Sequence, residues 1–165
     1  MTAARLLPIS TMAAALALAA GYGPSRWTGA LFVGAVGLLW LLGQRRHAEW
    51  PASPALVIFV GAAVLGTWWD APKGLMLMGV VAALAAWDLD HLSQRLMSVK
   101  PGEGVRACER GHIRRLLGVA GLGLLLGAVA LASQVRLGLG QVFLLGLLAM
   151  AGLSGAVGFL RRESD

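Results

Sequence analysis

Charge is what this 165-residue chain has least of: Asp, Glu, Lys and Arg together make up 13% of it, against 58% hydrophobic residues. A soluble domain carries roughly 25% charge, so a water-exposed globule is a poor fit. The scarcity is also uneven. No Asp, Glu, Lys, Arg or His stands in the middle of any long apolar run. Ionisable groups at mid-membrane mark ion paths and proton relays. Their absence argues against a proton-coupled transporter, a voltage sensor or a charged-substrate channel acting as a monomer. A single cysteine, Cys108, rules out an internal disulfide. Strict apolar/polar alternation is missing too, which argues against a transmembrane β-barrel.

What is present is six apolar runs, near 6–23, 27–43, 52–69, 74–92, 115–134 and 137–160. A hydrocarbon core about 30 Å thick is crossed by roughly 20 helical residues. Backbone groups in lipid must bond within their own segment, so unbroken runs of this kind are helices. The expected fold class is all-α: one transmembrane domain over 1–165, a polytopic bundle of six helices arranged as three hairpins. The turns Gly23-Pro24-Ser25-Arg26, Asp70-Ala71-Pro72-Lys73 and Gln134-Val135-Arg136 are too short for a folded domain or a lid.

Positive charge orients the bundle. One side carries Arg5, Arg45, Arg46, Arg95, Lys100, Arg106, Arg110, Arg114, Arg115, Arg161 and Arg162, eleven in all; the other carries only Arg26, Lys73 and Arg136. Lys and Arg gather on the cytoplasmic side, so both termini are expected in the cytoplasm. Tryptophan, which favours the headgroup level, fits the same spans. Trp27, Trp68 and Trp69 fall at outer ends, and Trp40, Trp50 and Trp87 at inner ends. The first run has a rival reading. Arg5, an apolar stretch and Ala15-Leu16-Ala17 resemble a secretory signal with a small-residue cleavage site. Cleavage would leave five spans in the same orientation.

Small residues supply the expected helix contacts, because apolar side chains gain little by leaving lipid and close approach matters most. Ala13, Ala17 and Gly21 recur at four-residue steps, as do Gly123 and Gly127; Gly29, Gly34, Gly37 and Gly43 mark the second span, and Gly152, Gly155 and Gly158 the sixth. The same faces can seat a homo-oligomer or a membrane-protein partner.

The longest inner segment, about 89–115, reads as a helical hairpin projecting into the cytoplasm. Leu89, Leu92, Leu96 and Val99 continue span 4 at helical spacing, Pro101-Gly102-Glu103-Gly104 breaks it, and Val105, Cys108, His112 and Leu116 lead into span 5. Ionisable groups converge only here. A turn centred at 101.5 would pair His91 with His112 and Asp88 with Arg115. Asp88-x-x-His91 and Glu109-x-x-His112 each set a carboxylate and an imidazole three apart, a spacing similar to the Glu-x-x-His elements of di-iron bundles. Asp88, His91, Cys108 and His112 are therefore the candidate metal or haem-edge ligands. Against them, His91 lies well off its helix's apolar stripe and extra carboxylates are missing unless Glu49 reaches in, so no metal or cofactor is assigned. The plainer reading is an ion pair between Asp88 and Arg115.

Gly152-Leu153-Ser154-Gly155 resembles the Gly-x-Ser-Gly of rhomboid intramembrane proteases over four residues. No His follows Ser154 to act as its base, so these residues read as helix packing. Asp88-Leu89-Asp90 is too sparse for a phosphoryl-transfer metal site, and Pro101–Gly104 lacks the Lys of a phosphate loop. No catalytic residue is assigned and an enzyme is disfavoured, although a lipid-modifying or metal-binding enzyme would act at this face.

The inner face is basic, its eleven cations set against seven acids. The bases border apolar helices, which points to the bilayer and anionic headgroups and not to nucleic acid. The expectation is a non-catalytic membrane protein of the plasma membrane, an accessory or scaffold subunit whose Arg106, Arg110 and Arg114 meet a partner or anionic lipid. The alternative is a small permease or uniporter of neutral solutes, with a polar cavity near Ser10, Thr11 and Gln141.

Overall fold

Each long apolar run that can be followed forms one helix. The computed structural model describes residues 3–46, 52–97 and 103–132. These form α1 (Ala3–Tyr22), α2 (Trp27–Arg45), α3 (Ala52–Trp68), α4 (Lys73–Met97) and α5 (Glu103–Ala132), with a short 3-10 turn at Pro24–Arg26. No strand occurs among the described residues. The bounds of α1 to α4 follow the predicted spans closely, whereas α5 begins at Glu103, well before the span expected from 115. The expected sixth span, 137–160, and Trp50, Gln141 and Ser154 lie outside the described residues. Among the described residues three helical stretches, Trp27–Arg45, Lys73–Leu96 and Cys108–Ala132, are long and apolar enough to cross a membrane; Leu6–Tyr22 and Ala52–Trp68 are shorter apolar helices.

Two local devices stop the helices. Gly23 ends α1 with φ +62°, a left-handed conformation that costs glycine nothing. At the end of α3 the left-handed residue is Asp70, with φ +58°. The Ala71 N–H donates to Gly66 O at 2.9 Å and the Asp70 N–H to Thr67 O at 3.3 Å, which is the hydrogen-bond pattern of a Schellman cap. Pro72 follows, where no helix can continue, and its carbonyl opens α4 by accepting from the Leu75 N–H at 3.0 Å.

α1 is the pivot of the packing. Its most extensive partner is α4, then α2; α3 packs on α4, and α5 contacts the rest chiefly through α4. The expected side-by-side hairpins are thus crossed by a stronger partnership, α1 with α4. The buried stripe of α1 is Leu7, Thr11, Ala14, Leu18 and Tyr22. Ala13 is exposed and Ala17 only half-buried, while Gly21 is buried and leaves no room for a Cβ beside Met76 of α4, so only the Gly21 end of the expected Ala13–Ala17–Gly21 seam lies on the face in use. The larger residues win because α4 offers them a hollow. A Cβ at Gly79 would stand 2.5 Å from Leu18 Cγ, so the missing side chain is what admits Leu18. Gly37 does the same for Ala15, at 2.7 Å. Gly34 and Gly123 face open space.

Trp40 is the other correction. Placed by sequence at a headgroup level, it is fully buried between helices, edge-on to Phe59 with ring centroids 5.8 Å apart. Much of the surface along the helices is apolar: Leu16, Leu39, Val57, Trp68, Leu117 and Val119 are each at least 60% exposed. Water would not tolerate such a surface, whereas hydrocarbon accepts it.

Candidate functional site

α4 runs unbroken to Met97, which carries Asp88, Asp90 and His91 beyond its most apolar turns. α5 begins at Glu103, so Glu103 and Gly104 are helical and not part of the expected break; Pro101 and Gly102 lie outside the described residues. Asp88 set against His112 and Leu77 against Gly127 make the two helices antiparallel.

His112 Nε2 lies 2.6 Å from Asp88 Oδ2 and donates to it. Both side chains are about a third exposed, at 34% and 37%. The expected partner of Asp88 was Arg115. His112 sits one turn earlier on the same face of α5 and takes the carboxylate instead. Arg115 is exposed and makes no ion pair among the described residues. Nor does His91 meet His112. Its Nδ1 lies 3.0 Å from Trp87 O, and its ring packs on the Trp87 indole with centroids 4.3 Å apart. Trp87 in turn donates from Nε1 to Ser53 Oγ at 3.3 Å, joining α4 to α3.

Of the four candidate ligands, then, Asp88 and His112 are brought together, while His91 is held by its own helix and Cys108 is exposed. Among the described residues no three His, Cys, Asp or Glu side chains converge as a metal ion requires. The inward stripe of α5 passes through buried Glu109 and then half-buried Ile113, Leu116 and Ala120, while Cys108 is exposed. The spacing that singled out Asp90 and Glu109 did not show that both carboxylates are buried, each 5% exposed. Asp90 accepts from Gln94 Nε2 at 3.2 Å. Their four-residue helical spacing from Ala86 and Ile113 was the available signal.

Two surface features flank this cluster. A groove of about 590 Å³ runs between α4 and α5, walled by Val81, Leu84, Val119 and Gly123 and ending at Asp88, His112 and Arg115. On the other side of α5, Arg110 and Arg114 border a recess of about 260 Å³ with Leu6, Ile113 and Leu117. Arg110 and Arg114 are exposed; Arg106 lies on α5 by its backbone, and its side chain falls outside the described residues.

A second polar cluster joins α1 to α2. Thr11 Oγ1 donates to Leu7 O at 3.0 Å and accepts from Gln44 Nε2 at 2.8 Å. Ser10 bonds its own helix, donating to Leu7 O at 2.9 Å. The buried atoms Trp40 Nε1 and Gln44 Oε1 have no hydrogen-bond partner among the described residues. At the opposite end of the helices, Arg26 ties two turns together. Its guanidinium donates to Trp69 O and lies over the Trp69 ring, 5.6 Å from the centroid, while Tyr22 OH donates to Ala62 O at 2.6 Å.

Fold and cluster together define an all-helical protein with helices fit to cross a membrane and an ionisable patch at one end of α4 and α5. Compared with protein families, curated proteins and solved structures, the chain matches none.

Proposed function

We propose that this chain is a non-catalytic, multi-pass protein of the plasma membrane, an accessory or scaffold subunit that presents the basic face of α5 to a membrane-complex partner. In this reading six helices form three hairpins, both termini face the cytoplasm, and the α4–α5 hairpin projects there. The observation that carries it is the pairing of exposed Arg110 and Arg114 with an apolar recess lined by Leu6, Ile113 and Leu117. A cationic rim around an apolar hollow suits an amphipathic segment with acidic residues beside its apolar anchors. The helix termini and small-residue contacts serve stability.

The test is co-purification. Tagged full-length protein, extracted in mild detergent and cross-linked, should retain a stoichiometric membrane partner. Reversing Arg106, Arg110 and Arg114 to Glu should abolish its recovery while the protein still inserts. Retention of the same partner by the triple variant overturns the reading.

One observation favours a second function, a permease or uniporter of neutral solutes. Trp40 Nε1 offers a donor and Gln44 Oε1 an acceptor, both buried and without a partner among the described residues, which is the pair a small neutral polar solute would use. Purified protein in liposomes should then pass such a solute with no second protein present, and Trp40→Phe should lower that flux.

A further inference from the structure

We propose that the groove between α4 and α5 binds an anionic glycerophospholipid drawn from the surrounding leaflet, one acyl chain along its apolar wall and the phosphate against Arg115. The inference rests on the reading that α4 and α5 cross the membrane, and not on the identity of any protein partner.

Three features of the groove select this occupant. First, its polarity is divided along its length. Val81, Leu84, Val119 and Gly123 line one part, and every ionisable group it touches, Asp88, His112 and Arg115, stands at one end. A ligand that fills it must be apolar along most of its length and charged at one tip. Second, the length fits one leaflet. From Arg115 to Gly123 the wall spans eight residues of α5, about 12 Å of helix. Half of a hydrocarbon core is about 15 Å. A chain seated there starts at the headgroup level and ends just short of the midplane.

Third, the charge at the mouth favours an anion. Asp88, the one acidic side chain lining the groove among the described residues, is held by His112 at 2.6 Å. Arg115 is left exposed and without an ion pair among the described residues. A guanidinium can bind a phosphate through two parallel hydrogen bonds. Gly123 keeps the deep part of the groove open, since a Cβ built there would meet nothing within 4 Å. That also makes it a site where a larger side chain can block the groove without disturbing the packing.

The experiment is native mass spectrometry of the full-length protein released from nanodiscs holding equal parts of phosphatidylcholine and phosphatidylglycerol. The wild type should retain one phosphatidylglycerol, roughly tenfold over phosphatidylcholine, as a charge-assisted contact would give. Arg115→Gln should abolish the preference between the two lipids. Gly123→Leu should reduce retention of both. Arg110→Gln, outside the groove, should behave as wild type. If Gly123→Leu loses its helical circular dichroism, Ala120→Leu on the same wall repeats the test.

Equal retention of the two lipids by the wild type overturns the proposal. So does undiminished phosphatidylglycerol in both Arg115→Gln and Gly123→Leu, or a lipid-free dimer as the only retained species. Partner recovery depends on Arg106, Arg110 and Arg114, whereas lipid retention depends on Arg115 and Gly123, so either result can fail while the other stands.

Discussion

At the scale of the residue, the pairing of Asp88 with His112 shows what a helical wheel leaves open. The sequence places Asp88, His112 and Arg115 near one another because carboxylate, imidazole and guanidinium fall on facing stripes. Which side chain takes the carboxylate depends on a shift of one helical turn, about 5.4 Å, and neither composition nor periodicity sets that distance. Both groups are about a third exposed, so the pair is worth about 1 kcal/mol, in the range of a partly solvated bridge. In a double-mutant cycle of Asp88→Asn and His112→Gln, followed by thermal unfolding in detergent, the coupling should be of that size and favourable. A cycle of Asp88→Asn with Arg115→Gln should show no coupling.

The element scale separates periodicity from the choice of face. Apolar length was enough to bound α1 through α4 to within about five residues, because desolvated backbone leaves no alternative to a helix, whereas α5 begins at Glu103, well before its apolar run at 115. Which stripe of α1 faces inward was not legible. All its faces are apolar, and alanine at four-residue steps looks as good a seam as leucine. The decision came from α4, where Gly79 opens a hollow that Leu18 fills. Trp40 was misplaced for the same reason. Its position near the end of a run resembles an interfacial anchor, and only its contact with Phe59 shows it to be core. The complementarity of Leu18 and Gly79 can be tested directly. Gly79→Leu should destabilise the fold by about 1–3 kcal/mol through overpacking, measured by thermal unfolding, and Leu18→Ala added to it should restore part of the loss.

At the scale of the whole described bundle, packing is organised around α1 and α4. α1 contributes Leu7, Thr11, Ala14, Leu18 and Tyr22 to the core and touches α2, α3 and α4. A cleaved signal segment has no such role, so the mature protein is expected to keep α1. Intact mass of protein purified from membranes should include residues 3–22, and a mass beginning near residue 20 would contradict the packing. Orientation has its own measurement. A reporter enzyme fused at residue 102 should be active only in the cytoplasm, given eleven cations on that side and three on the other.

The sequence alone determined that the chain is helical, roughly where its helices begin and end, and which stretch gathers ionisable groups. These follow from hydropathy, charge and turn chemistry, which act locally. Tertiary structure decided that α1 pairs chiefly with α4, that Asp88 meets His112 and leaves Arg115 at the mouth of a groove, and that Cys108 and His91 stay apart from that pair. Those outcomes depend on helix rotation and register. In a chain apolar on nearly every face, rotation and register are set by the shapes that neighbouring helices present to each other.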